Sequence, residues 1–138
     1  MKVRQVMTAE PVRMHEGATV SEAARAMRDA NIGAVLVERD GHVSGIVTDR
    51  DLVVRALADG PAGANRRLKD VCTASVLSVG PDDDTDAVIA LMRQKKIRRV
   101  PVLDGGRDAI GILSLGDMAI QRDAESVLGQ ISAAPPTH

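Results

Sequence analysis

Phenylalanine, tyrosine and tryptophan are absent from this chain of 138 residues. A core must therefore be filled by Val, Ile, Leu, Met and Ala, and no base can stack on an aromatic ring as binders of single-stranded nucleic acid require. A planar ligand would have to lie between aliphatic side chains. Cysteine occurs once, at Cys72, which excludes an internal disulfide and any metal site built from several cysteines. Net charge is also lacking: 18 basic and 19 acidic residues leave −1. The chain thus has no general attraction for nucleic acid or anionic lipid, and an anion must be held by a local arrangement. No run approaches the roughly 18 apolar residues of a membrane span, and basic Met1-Lys2-Val3-Arg4 is not followed by the apolar stretch of a secretory signal. These absences point to a cytoplasmic globular protein. At 44% hydrophobic and 27% charged residues, it is long enough to bury about two thirds of its unfolded surface as one domain.

What is present is a duplication. Gly45-Ile46-Val47-Thr48-Asp49-Arg50-Asp51 and Gly111-Ile112-Leu113-Ser114-Leu115-Gly116-Asp117 both read Gly-apolar-x-(Ser/Thr)-x-x-Asp. Apolar residues after a glycine suit the end of a strand, and a hydroxyl followed three positions later by a carboxylate suits the first turn of a helix. Upstream of these corners a one-residue insertion near Asp108 brings Thr8/Thr73, Met27/Met92, Ile32/Ile97, Val35/Val100, Val37/Val102 and Gly41/Gly106 into coincidence. Cys72 then stands opposite Met7 and reads as a small buried apolar residue. Each copy is too short to bury much surface alone, so the two should share one core. The expected division is a first repeat over 1–60, a linker over 61–67, a second repeat over 68–125 and a mobile tail over 126–138.

Within each copy the periodicity predicts one plan. Thr19-x-x-Glu22 is a capping box, and Val20, Ala23, Ala24 and Met27 lie on one helical face, giving a helix over about 20–30. Continuous apolar Ala34-Val35-Leu36-Val37, a turn at Arg39-Asp40-Gly41 and Val43 to Val47 make a hairpin covered on both faces. Thr48 then caps a helix whose Leu52, Val53, Ala56 and Leu57 face inward. The second copy has a short strand from Val76 to Val79, a helix carrying Val88, Leu91 and Met92 inward, a hairpin around Asp104-Gly105-Gly106 and a last helix from Ser114. Asp82-Asp83-Asp84 before one helix and Lys95-Lys96 at its end complement the helix dipole, which accounts for the acidic run without a metal.

The corners carry the candidate chemistry. Thr48-x-x-Asp51 and Ser114-x-x-Asp117 have the spacing of capping boxes, in which the Asp bonds backbone. Their recurrence, with a glycine three positions ahead that allows close approach, supports a second role in which the carboxylate accepts ribose hydroxyls. Catalysis finds little support, because His15, His42 and His138 are scattered and the second corner misses the Gly-x-Ser-x-Gly elbow by one residue.

These residues together resemble a tandem cystathionine-β-synthase (CBS) domain pair, or Bateman module, of the small stand-alone bacterial type. Val6-Met7-Thr8-x-x-Pro11-Val12 is similar to the family's opening motif, Ile97-Arg98-Arg99-Val100-Pro101-Val102 to its second-strand motif, and the two corners to its ribose motif. The resemblance covers about residues 3 to 125. It implies an α+β fold of two β-α-β-β-α repeats related by a pseudo-twofold and packed sheet to sheet. It also implies a regulatory module without cofactor or metal, binding AMP, ADP, ATP or S-adenosylmethionine between the copies. One site would use Val12, Ala34 and Val35 with Thr48, Arg50 and Asp51. The other would use Val76, Leu77, Val100 and Pro101 with Ser114 and Asp117, and Arg98 and Arg99 either meet phosphate there or are a solvated strand end. The first copy lacks the basic pair and the proline, which makes the Asp117 site the expected stronger one. Family modules commonly form homodimers through helix faces, here those beginning near Val20 and Val88 or those following the corners, and act on a protein target that the sequence does not name. The alternative is a dimerisation module with vestigial clefts.

Overall fold

A computed structural model describes residues 1–74 and 77–123, so Val76 and the expected tail at 126–138 lie outside the described residues. In chain order the elements are β1 (Thr8–Ala9), β2 (Arg13–His15), α1 (Val20–Ala30), β3 (Ala34–Arg39), β4 (His42–Thr48), α2 (Asp49–Arg55), α3 (Leu68–Val71), β5 (Thr73–Ala74), α4 (Thr85–Lys95), β6 (Arg99–Asp104), β7 (Asp108–Ser114) and α5 (Leu115–Asp123). The fold is α+β, as the sequence reading expects.

Local chemistry accounts for most of these boundaries. The Thr19 hydroxyl accepts the Glu22 N–H at 3.2 Å at the start of α1, and Asn31 ends that helix in the left-handed conformation. Helix α1 buries Val20, Ala23 and Met27, whereas Ala24 is exposed. In α4 the buried apolar residues are Val88, Ile89 and Met92, with Leu91 only half-buried. Strands β3 and β4 join through Asp40 and Gly41, both at positive φ, the two-residue turn whose twist matches a hairpin. The second hairpin pairs Asp104 with Asp108 across three residues, so the insertion near Asp108 lies in the turn. The acidic run has a partner besides the helix dipole. Arg4 donates to Asp82 at 2.9 Å and the Val3 N–H to the Asp83 carbonyl at 2.9 Å, which holds the first residues against the second copy.

The two sheets are not assembled copy by copy. One has the order β2-β3-β4-β5 and the other β1-β7-β6. Strand β5, which opens the second copy, therefore pairs with β4 of the first, and β1 pairs with β7 of the second. The cores follow the exchange: Leu68, Val71 and Cys72 pack with α1, β3 and β4, while Val3, Val6 and Met7 pack with α4, β6 and β7. The corner glycines are explained here. A Cβ on Gly45 would stand 2.6 Å from the Thr73 carbonyl and 2.9 Å from Cys72 Sγ, and one on Gly111 would stand 2.6 Å from Met7 Sδ. The close approach expected at these positions is that of the exchanged strands. The expected linker is also ordered, with a 3-10 turn at Pro61–Asn65 whose Gly63 is buried against Ala56.

The copies differ at one sheet position with a simple cause. The Leu36 N–H donates to the Val12 carbonyl at 2.9 Å, supporting the parallel pairing of β2 with β3. Pro101 occupies the matching place and has no N–H to give. The expected strand from Val76 to Val79 is reduced to a single bridge between Val79 and Val102 among the described residues. The sheets meet through Leu36, Ile46 and Ile112, flanked by Ala34, Val43 and Ala109. None of the helices among the described residues is long and apolar enough to cross a membrane.

Candidate functional site

Two clefts lie between the copies, and the strand exchange decides what each contains. Strand β5 runs antiparallel to β4, with Ala74 opposite Gly45 and Thr73 opposite Ile46. The chain therefore enters the second copy alongside the first corner. The first cleft, of about 240 Å³, joins Thr48 and Asp51 to Leu77, Arg98, Arg99 and Val100. The second, of about 500 Å³, joins Val12 and Ala34 to Ser114 and Asp117. The second volume falls within the range of known small-ligand sites, roughly 300–1,000 Å³, and the first lies just below it.

This corrects the grouping expected from the sequence, which kept each corner with the apolar strands of its own copy. Asp51 and Thr48 face the aliphatic wall and basic pair of the second copy, and Ser114 and Asp117 face Val12 and Ala34 of the first. Three expected residues line neither cleft. Val35 is buried on the face of β3 opposite Ala34, which takes the cleft side, and Pro101 is buried in β6. Arg50 is exposed outside both clefts, its N–H bonded to Asp49 Oδ1 at 2.8 Å. Val76 lies outside the described residues.

Two charged lining residues were not foreseen. Lys96 joins Arg98 and Arg99 in the first cleft, and Glu10 joins Asp117 in the second. From sequence alone Lys96 serves the dipole of α4. It stands at the left-handed C-cap of that helix, φ 57°, where Asn31 stands in the first copy, φ 54°. The signal for Lys96 was its adjacency to Ile97-Arg98-Arg99. The signal for Glu10 was its place inside the Thr-x-x-Pro motif.

The corners also differ in how far their carboxylates are engaged. Asp51 Oδ2 accepts the Thr48 N–H at 2.9 Å, Thr48 Oγ1 accepts the Asp51 N–H at 3.1 Å, and Arg55 Nε lies 3.7 Å from Asp51 Oδ1. The capping-box alternative is thus realised in the first copy. A carboxylate has about four acceptor positions, so Asp51 keeps capacity for a ligand. In the second copy Ser114 Oγ accepts the Asp117 N–H at 3.0 Å, and the Asp117 carboxylate has no partner among the described residues. The side chains of Lys96, Arg98 and Arg99 likewise make no hydrogen bond or ion pair among the described residues. Cys72 lies outside both clefts, and burial raises its thiol pKa, which suits a packing role rather than a reactive thiolate. No cluster of His, Cys, Asp and Glu among the described residues is arranged to hold a metal ion.

The repeat, the exchanged strands and the paired clefts coincide with a known module. The family model for the CBS domain matches residues 3–57 and again 68–121. The chain belongs to the CBS domain family. CBS pairs are regulatory modules. The chain is 37% identical to the protein YlbB of Bacillus subtilis, over 95% of this chain and 91% of that protein. Among solved structures, the CBS pair of protein MJ0100 in complex with 5′-methylthioadenosine and S-adenosyl-L-methionine is 25% identical. It superposes with a TM-score of 0.75, covering 88% of this chain and 99% of that one. A hexameric CBS-CP12 protein from bloom-forming cyanobacteria is 27% identical with a TM-score of 0.80, covering 92% of this chain and 75% of that one.

Proposed function

We propose that this CBS pair is a cytoplasmic sensor of adenosine-containing ligands, with no chemistry of its own, whose occupancy biases the arrangement of copies or paired chains toward a protein target. The observation that carries the reading is the make-up of the first cleft. An aliphatic wall of Leu77 and Val100 suits a base in a protein without aromatics. Asp51 and Thr48 stand where ribose hydroxyls can be met, and Lys96, Arg98 and Arg99, unpaired among the described residues, offer cations to phosphate. The complex of MJ0100 with two adenosine compounds supports the same ligand class. On this reading the ligand in the first cleft meets Thr48, Asp51, Leu77, Arg98, Arg99 and Val100, and that in the second meets Val12, Ala34, Ser114 and Asp117.

A ligand bound only by the folded pair raises its melting temperature. At a hundredfold excess over the dissociation constant the gain is about 2.7 kcal/mol, or roughly 5–10 °C for a domain of this size. Melting is followed by circular dichroism with AMP, ADP, ATP and S-adenosylmethionine in turn, GTP serving as the control for phosphate alone. A shift of less than a degree with every adenosine compound, or an equal shift with GTP, removes the sensor reading. A dimerisation module then takes its place, which the exposure of Val53, Val54, Leu57 and Ile120 favours.

A further inference from the structure

One side chain belongs to both clefts. Arg99, the first residue of β6, lines the first cleft beside Lys96 and Arg98 and the second beside Glu10 and Asp117. Its counterpart in the duplication, Ala34, lines only the second, so the sharing runs one way. The pairing of β6 with β7 sets Arg99 directly opposite Ser114, a residue of the second cleft. The charges around it are unequal. The first cleft has Lys96 and Arg98 besides Arg99, against the single carboxylate of Asp51. In the second, Arg99 is the only cation among the described lining residues, which also include two carboxylates, Glu10 and Asp117.

A guanidinium presents its donors in one planar fork and meets a single phosphate best, in a bidentate pair, so ligands in the two clefts compete for the one Arg99 side chain. Resting on the nucleotide reading above, we propose that Arg99 couples the two clefts. A phosphate-bearing adenosine ligand in the first cleft recruits Arg99, and the second cleft, left with Glu10 and Asp117, then rejects a second anionic ligand and accepts an uncharged or cationic adenosine compound. By linkage the coupling is reciprocal, so a phosphate ligand that holds Arg99 in the second cleft weakens binding in the first by the same factor. Loss of a charge-assisted hydrogen bond sets its expected size, on the order of 10- to 100-fold.

Calorimetric titration of the whole chain with ATP and with adenosine tests this. Asp51→Ala disables the first cleft, with Asp51→Asn as the substitute if the alanine variant does not fold. In either variant the second cleft keeps Arg99 to itself and should bind ATP at least 10-fold more tightly than the second ATP binds to the unmodified chain. A second ATP too weak to detect in the unmodified chain, but measurable in the variant, is the same result in stronger form. Adenosine should show no such gain. With Arg99→Ala added, the gain for ATP should vanish. A gain that persists without Arg99 assigns the coupling to repulsion between the two ligands and overturns the role of Arg99. Equal ATP affinities in the two clefts of the unmodified chain, or no ATP binding to the Asp51 variant, overturns the coupling while the sensor reading stands. If neither ATP nor adenosine binds the unmodified chain, the sensor reading falls and the coupling falls with it.

Discussion

At the scale of single residues, the two corner carboxylates are sequence equivalents with different neighbours. The basic pair of the second copy lies in the Asp51 cleft, so Asp51→Ala should weaken ATP binding more than Asp117→Ala, the reverse of the order that grouping by copy implies. Loss of charge-assisted bonds to ribose should cost roughly 1.5–3 kcal/mol, about 10- to 150-fold in affinity. Equal effects in a fluorescent-nucleotide titration would count against the assignment. Lys96 offers a second test. It holds a left-handed conformation that Asn accepts more readily, as Asn31 does at the matching position. Lys96→Asn should raise stability to urea by up to about 1 kcal/mol while weakening ATP more than adenosine. A variant that loses stability, or that weakens both ligands alike, would show that Lys96 is not a strained phosphate contact.

The exchanged strands are the decisive elements. Val6, Met7 and Cys72 have no role in the clefts, yet their places against the other copy's sheet bring each corner to its cleft. The glycines at the crossings are unequal in consequence. A Cβ on Gly45 meets a backbone carbonyl at 2.6 Å, whereas on Gly111 the contact at 2.6 Å is the flexible Met7 Sδ and the nearest carbonyl is at 3.0 Å. Gly45→Ala should therefore destabilise by about 1–3 kcal/mol and Gly111→Ala by clearly less. Urea denaturation of the two variants decides it, and a larger loss for Gly111→Ala would mean that the β1 crossing is the tighter one. The helices following the corners add a second surprise. Leu52 and Ala56 are buried as expected, but Val53 and Leu57 are more than half exposed. An amphipathic count places Val53 and Leu57 on the apolar side, but α2 ends at Arg55 and Leu57 opens a separate 3-10 turn, so the helical period does not carry through to it.

For the whole molecule, that exposure leads us to expect self-association. Val54 of α2 and Ile120 of α5 occupy equivalent places in the two copies and are 54% and 48% exposed. A face repeated by the internal duplication suits a homodimer, in which each copy meets its counterpart. Sedimentation at micromolar concentration should show a species of twice 14.6 kDa, and Val54→Glu with Ile120→Glu should convert it to monomer. A monomer in the unmodified chain, or a dimer indifferent to both charges, removes these helices as the interface.

The duplication, the helices and hairpins, the capping at Thr48 and the kinship with CBS pairs were all legible in the sequence. They depend on local periodicity, turn residues and motif spacing, which the chain carries residue by residue. Which corner meets which wall was not legible, because it depends on β1 and β5. Each is a two-residue strand, too short to show a period, and nothing in Thr8-Ala9 or Thr73-Ala74 says whose sheet edge it joins. Glycine at 45 and 111 marked a close approach without naming what approached. Tertiary pairing settled that, and with it the placing of Asp51 among three cations, the placing of Asp117 beside Glu10, and the position of Arg99 between the clefts. Neighbours across a sheet edge are chosen by global packing, in which many weak contacts compete, so the partner of a short strand is a property of the folded whole.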